Sequence, residues 1–523
     1  MRSGSVSVFL GMLLGMIMSL FFSMTEVVRY SCLETETKSL TTSAVQSAFG
    51  EYNRPLWDEY KLLAIDTDYG GEAKGTNLLE ESVSYYVEED FCPGENGVDF
   101  LKLDTTDCAA CNTIYLTDGN GGGFIKEAAK CAELELTQEV INQLVDKCSG
   151  CKDASENEID IEEILGNTKE SLEKTEEKEE EESLEETSVE SQEESLEETS
   201  VESQEEKKIS TNIQRQVLPR RKYFEGEVKD ESKGIIASVI ELENKAVLSQ
   251  VTEDINSVSE EVIKNEQLVS KRQLQQGTGQ LPEVSVTERA LFQYYLTKYF
   301  SCYGEDLHEN GMNYEMEYIL CGCSSDRENL TKTVERLLLL REVENLVSLT
   351  QDKTKVAEVK AVAAAATAVV LHPELEEIVS YGILAAWAYV ESVLDVRLLL
   401  SGGKVSFLKT PKEWTSNLKE IGTCLDTTKK AKECESGITY KEYLFALYTL
   451  ESQKNISYRA LDVMEENIHG KENYSHVAMD HFLVEATIRL NLCATPLFLS
   501  FIPLYQGNLS NYEFVSEKKM SYL

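Results

Sequence analysis

From Ser5 to Thr25 the chain carries no charged residue, and apolar side chains follow one another on every side of the helical repeat. About 20 such residues, rising 1.5 Å each, match a hydrocarbon core of ~30 Å, so the pattern predicts a membrane-crossing helix closed by Glu26. Gly11, Gly15 and Ser19 recur every fourth residue and leave one face of that helix open to close packing by another. Arg2 precedes the run, whereas Glu26, Arg29, Glu34 and Glu36 follow it. The expected topology is therefore a single-pass protein of the cell membrane, N-terminus in the cytoplasm and bulk outside. A cleaved secretory signal fits less well. Its apolar region usually runs about 7–15 residues, and "FFSMTEVV" offers no small-x-small site.

Beyond the apolar run the pattern turns amphipathic. Val45, Ala48, Phe49, Tyr52, Leu56, Tyr60 and Leu63 keep helical spacing with no proline before Pro55, which predicts a stalk helix over 29–69. Residues 70–151 read as loop-rich, with "CPGENGVD" and "TDGNGGGF" as turns. From about Asp153 to Lys208 the chain is almost entirely Glu, Ser, Thr and Lys, and "ESLEETSVESQE" at Glu182–Glu193 recurs unchanged at Glu194–Glu205. Such a tract cannot bury a core, and its like charges keep it extended, so 152–232 is expected to be a disordered acidic linker.

A folded pattern returns over 233–523, mostly helical. "NLTKTVERLLLLREVENLV" places Val334, Leu337, Leu338, Val343 and Leu346 on one broad face, and "EYILCGC" reads as a short strand-like run. "SYGILAAWAYVESVLDVRLLL" is apolar enough to raise a second membrane span. Glu391, Asp395 and Arg397 argue against it, because each costs about 2.5–3.5 kcal/mol at a bilayer centre. It and "VAAAATAVVLH" are expected as buried helices of a soluble domain. "NLCATPLFLSFIPLYQ", interrupted by Pro496 and Pro503, is expected as a core strand or loop. The predicted fold class is mainly α (α+β): a membrane helix over 1–28, the stalk, a Cys-rich module, the acidic linker and a helical ectodomain.

Composition changes this picture in two ways. A formal net charge of −43 over 523 residues argues against nucleic-acid binding, which is driven by neutralising phosphates with Lys and Arg, although much of that charge sits in the acidic tract and says little about the folded parts. Thirteen cysteines follow the apolar run. They are Cys32, then Cys92, Cys108, Cys111, Cys131, Cys148 and Cys151, then Cys302, Cys321, Cys323, Cys424, Cys434 and Cys493. Outside a cell, two even groups of six suggest disulfides, with Cys32 left over. "CAAC" (Cys108, Cys111) and "CSGC" (Cys148, Cys151) leave two alternatives open: a four-thiolate zinc site, or a thiol-redox pair. "TDGNGGGFIKE" offers Asp118 and Asn120 to calcium but lacks the acidic twelfth position of an EF-hand loop, so a plain turn is expected.

Catalytic signatures are missing. His476 and His481 stand five apart rather than at the spacing of the zinc motif H-E-x-x-H, and neither a G-x-S-x-G elbow nor a P-loop occurs. "SSDRENL" reads as a capped helix start, and "SGGKV" as a helix end. The chain is expected not to be an enzyme and to need no cofactor.

Two groups of segments carry a family resemblance. "GSVSVF" followed by the apolar helix and "AVQSAFGEYNRPLWDEYKLLAIDTDYGG" is similar to a bacterial family of unknown function with a TadE-like pseudopilin N-terminus. "LFQYYLTKYFSCYG", "YEMEYILCGCSSDRENLTKTVERLLLLREVENLVSL" and "GILAAWAYVESVLDVRLLLSGGKVSFLKTPKEW" resemble the same family. That family tends to accompany Tad (Flp) pilus assembly systems in Gram-positive bacteria. The resemblance implies an assembly role with other pilus or pseudopilin proteins as partners. In TadE-like proteins a Gly precedes the prepilin-peptidase cut and a Glu stands five residues after it. Gly4, followed by Ser5, matches the first feature, whereas Phe9 stands where the Glu would be.

Overall fold

The computed structural model describes residues 2–71, 75–91, 99–146, 242, 244–264, 267–305, 311–370, 376–502 and 510–523. The acidic linker over 152–232, together with Cys92, Cys148 and Cys151, lies outside the described residues. The protein is mainly helical, with one small sheet. In chain order the first elements are α1 (Arg2–Phe49), α2 (Arg54–Tyr60), β1 (Ile65–Asp66), α3 (Asn77–Phe91), β2 (Leu103–Tyr115) and α4 (Asp118–Glu135). Then come α5 (Val247–Val251), α6 (Val286–Tyr299), α7 (Glu315–Cys321), α8 (Asp326–Gln351), α9 (Lys353–Val370) and α10 (Glu376–Leu400). The last are α11 (Tyr440–Leu450), α12 (Gln453–His469), β3 (Phe482–Ala494) and β4 (Tyr512–Ser521). The chain divides into two units. One comprises 1–148, 260–326 and 447–523, the other 149–259 and 327–446.

In the first unit β3 is the central strand of an antiparallel sheet. β2 pairs along one edge, from Leu103 opposite Ala494 to Tyr115 opposite Leu483. β4 pairs along the other edge, and β1 extends that edge at Phe482 and Leu483. The strand "FLVEATIRLNLCA" explains why one face alone is covered. Ala486, Ile488, Leu490 and Leu492 are buried, whereas the intervening Thr487, Arg489, Asn491 and Cys493 are not. Onto the buried face pack Leu33, Ala44, Val45, Ala48 and Phe49 of α1 and Leu79, Val83 and Val87 of α3. Helices α4, α6, α7 and α12 complete the unit, with Phe124 of α4 set edge-on against Phe292 of α6.

Three local expectations are corrected here. The stalk helix ends at Phe49, not near residue 69. Gly50 closes it, and Asn53 starts α2 afresh by accepting a hydrogen bond from the Leu56 N–H at 3.0 Å, with Pro55 in the first turn. The stretch 77–135, expected as loops, supplies α3, β2 and α4 and so part of the core. "EYILCGC" is helical: α7 stops at Gly322, whose φ of 67° suits glycine, and a Cβ there would fall 2.5 Å from the Arg459 side chain.

The second unit is built on α8, α9 and α10, with α5 and the 3-10 turn Leu418–Leu425 against α10. α10 is buried along most of its length, as its sequence predicts. On α8 the buried face runs through Leu330, Val334, Leu337, Leu338, Arg341, Asn345 and Leu349, while Val343, expected on that face, is exposed.

Candidate functional site

The described residue run with the clearest physical demand is the first half of α1. It is the one described helix long and apolar enough to cross a membrane, and no residue of its most apolar 18-residue window is buried by the rest of the chain. Phe9, Leu14, Met16 and Leu20 are all exposed. Gly4 and Ser5 lie in its first turn. A Cβ added at Gly11 or Gly15 would meet nothing within 4 Å, so the small-residue stripe is open there, whereas Ser19, on the same face, is half-buried. Such a surface has only two stable environments, lipid or other apolar helices.

Charge reappears at Glu26 and Arg29, and there the helix meets the body of the unit. Both side chains are buried, 2% and 5% exposed, and pair at 2.8 Å. Arg29 donates through Nε to the Phe100 carbonyl at 2.7 Å and through a second nitrogen to the Leu101 carbonyl. Glu26 accepts from the Phe498 N–H at 2.6 Å. Ion pairing and backbone hydrogen bonds thus satisfy two charges that burial would otherwise penalise. From Glu26 onward the buried positions recur at helical spacing through Leu33, Thr37, Ala44 and Ala48, which seats this half of α1 on the sheet.

The cysteines do not converge into a site among the described residues. Cys108 and Cys111 both lie on β2, opposite Leu490 and Thr487. Cys108 faces the α1/α3 side, and Cys111, an odd number of positions away, faces the other. Three residues of extended chain separate the two by about 10 Å, beyond the ~7 Å Cα reach of a disulfide. The same geometry prevents both from turning to one zinc ion. Burial pushes the Cys108 thiol up to about 11, the reverse of what a nucleophilic thiolate needs. Cys131 of α4 contacts the Tyr299 hydroxyl at 3.9 Å, and Cys434 lies 3.3 Å from Glu413. Cys302 and Cys424 are buried, whereas Cys321, Cys323 and Cys493 are half-buried. Among the described residues no group of three or more His, Cys, Asp or Glu could hold a metal ion. Asp118 is committed to structure, accepting from the Tyr115 N–H at 2.7 Å and the Gly277 N–H at 3.0 Å.

A buried charge network in the second unit was not foreseen from the sequence. Asp395 of α10 accepts from Arg341 of α8 at 2.7 Å and meets Lys409 at 2.5 Å. Glu391 pairs with Lys409 and accepts from the Thr415 and Ser416 N–H groups at 2.9 and 2.8 Å. Arg341 also engages Glu344 and donates to the Tyr443 hydroxyl at 2.8 Å. Arg397 donates to the carbonyls of Gln250, Cys424, Asp426 and Lys429 instead of to a carboxylate. Of the three charges that argued against a membrane span in α10, Glu391 and Asp395 are thus paired with cations inside protein, and Arg397 meets carbonyls through Nε and Nη1 while its Nη2 is buried without an acceptor. Two cations, Arg341 and Lys409, face three acids, Glu344, Glu391 and Asp395. Burial drives Glu344 up to about 7 even beside Arg341, and its Oε1 has no hydrogen-bond donor. The sequence signal for this network was polar residues at helical spacing, Arg341, Glu344 and Asn345 on α8, recurring on an otherwise apolar face.

Comparison with known proteins adds one finding. No curated protein and no solved structure matches the chain. The profile of a family described as "Family of unknown function (DUF5702)" matches residues 225–494, just over half of it. The matched stretch runs through α5–α12 and ends with β3, so it contains the central strand of the sheet but neither α1 nor the strands beside β3. The chain belongs to the DUF5702 family of unknown function.

Proposed function

We propose that the protein is a membrane-anchored, extracellular structural component, pseudopilin-like in build, of a Tad-type pilus or related surface apparatus. One observation carries this reading. A single continuous helix is bare and apolar over its first half and packs its second half onto an antiparallel sheet. That division of labour suits a subunit whose front half lies in a bilayer or among its neighbours' helices while its head stays in water. The TadE-like resemblance and the Gly4–Ser5 junction point the same way. The alternative of an anchored thiol oxidoreductase loses its Cys108/Cys111 pair to the strand geometry described above. An adhesin remains a second use for the same anchored head, with no feature of the described residues favouring it.

The test is the intact mass of alkylated, unreduced protein taken from its native membranes. A chain starting at Ser5 supports processing by a prepilin peptidase and hence a pseudopilin. A chain retaining Arg2 makes α1 a permanent anchor and removes the filament part of the reading. Recovery of the full-length chain in the soluble fraction overturns anchoring itself.

A further inference from the structure

Two exposed phenylalanines flank α1 where its apolar run ends. Phe501, 58% exposed, stacks on Phe22 with ring centroids 5.6 Å apart. Phe22 is three residues before Thr25, the last residue of the charge-free run, which is about 5 Å along the helix axis. The Phe501 ring therefore stands level with the final turn of the apolar segment, not above it. Its loop, 495–502, contains no charged residue. It is tied to the helix by the Phe498 N–H on Glu26 and tightened by the Ile502 N–H on the Leu499 carbonyl. Phe100, also 58% exposed, belongs to a second loop held to the helix through its carbonyl by Arg29. The exposed Lys102 lies beside it.

Resting on the membrane-anchor reading, we propose that these two loops dip into the outer interface of the bilayer, with Phe501 in its hydrocarbon margin and Phe100 at headgroup level. The first unit then rests directly on the membrane instead of standing off on a stalk. Continuity argues for lipid as the occupant. A span of ~30 Å starting at Val6 ends at Thr25, so any bilayer that covers Leu20 and Phe21 also reaches Phe501. A phenylalanine ring has no polar group to keep wet, so an exposed one gains by entering the apolar side of the boundary, as the Phe and Leu anchors of interfacial segments do. The Glu26–Arg29 pair acts as the latch. It hides from lipid the first two charges after the span, and the same two side chains hold both loops at a fixed height on the helix.

The test uses the full chain in phosphatidylcholine–phosphatidylglycerol vesicles whose acyl chains are brominated near the headgroup. Phe501→Trp is compared with Leu134→Trp, each as a difference from the parent chain with its three tryptophans. Leu134, 84% exposed, serves as the distal control. It sits at the end of α4, whose Lys130 reaches the Tyr522 carbonyl, and the Tyr522 ring packs on Phe49 at the far end of α1. The expected result is loss of most of the added emission at position 501 and none at 134. Adding Glu26→Gln to Phe501→Trp is expected to restore part of the emission while the chain still floats with the vesicles. A chain that floats but shows equal emission at 501 and 134 overturns the docking while leaving the anchor intact. A chain that does not float overturns both. Emission at 501 that changes only with protein concentration assigns the patch to a neighbouring copy and overturns the lipid assignment.

Discussion

The first half of α1 and the whole of α10 are both long apolar helices, yet they occupy opposite environments. Residues 6–24 of α1 expose nearly every large side chain, and nothing in the described chain packs against most of them. α10 buries Trp387, Val390, Val393, Leu394 and Val396 and carries three charges among them. The difference lies in those charges. A helix that will sit in lipid cannot carry a carboxylate or guanidinium at its centre, because the bilayer offers no partner. A helix inside a folded unit can, because α8 and the 405–416 segment bring Arg341, Lys409 and backbone N–H groups to meet Glu391 and Asp395. Apolar content says that a helix avoids water, and the charges it carries say which alternative to water it takes.

The largest expected effect comes from breaking the α10 side of this comparison. Arg341→Met strands Asp395 and Glu344 without their guanidinium and is expected to cost about 3–5 kcal/mol of stability, read by denaturant unfolding of the full chain. An unchanged unfolding midpoint would mean that the network is incidental to the packing of α8 on α10. Next is the α1 side. Leu14→Arg places a charge near the middle of the run, at a cost of about 2.5–3.5 kcal/mol, and is expected to shift the chain out of the membrane fraction on flotation. The same substitution at Val343, exposed on α8, should change neither flotation nor, beyond about 0.5 kcal/mol, stability.

A smaller effect follows from the excess acid in the network. Glu344 titrates near 7 in the folded chain but at its ordinary carboxylate value when unfolded, so between these values the native state binds more protons. The contribution to stability is present at pH 5 and is lost as pH rises through 7, by about 2 kcal/mol. Glu344→Gln is expected to flatten the unfolding free energy between pH 5 and pH 8. A parallel slope in parent and variant would place the proton elsewhere. A comparable case sits in the first unit, where burial raises Glu127 to about 7 while it accepts from the Leu63 N–H. Glu127→Gln should likewise be most stabilising above pH 7, by about 2 kcal/mol, and neutral at pH 5.

Much of the helical architecture is legible along the chain because most of the helices are marked locally, whereas α3 and α4 fall in a stretch that reads as loops and α7 in one that reads as a strand. The capping box at Ser285 and Glu288 starts α6, and Gly402 and Gly403 follow the end of α10. The sheet was less legible although its signal was present. Thr487, Arg489 and Asn491 alternate with Ile488, Leu490 and Leu492, a period of two that is short and is followed at once by the strand-breaking Pro496 and Pro503. β2 carries Cys108 and Cys111 in a run of small and polar residues whose strand character comes from pairing with β3. Its cysteine spacing suggested a site that extended geometry takes apart.

What the sequence alone determined is the apolar, charge-free front of α1, the amphipathic turn it takes after Glu26, and the burial of α10 within protein. These follow from hydropathy and charge at fixed helical spacing, which are local properties. Tertiary structure decided the rest. It ended α1 at Phe49, drew β1, β2, β3 and β4 together from opposite ends of the chain, matched Arg341 to Asp395 across 54 residues, and brought Lys409 back onto Glu391 and Asp395 of the helix before it. It also set Phe501 beside Phe22. Pairings of that kind depend on which distant segments meet, and no local pattern encodes the partner of a buried charge or of a sheet edge.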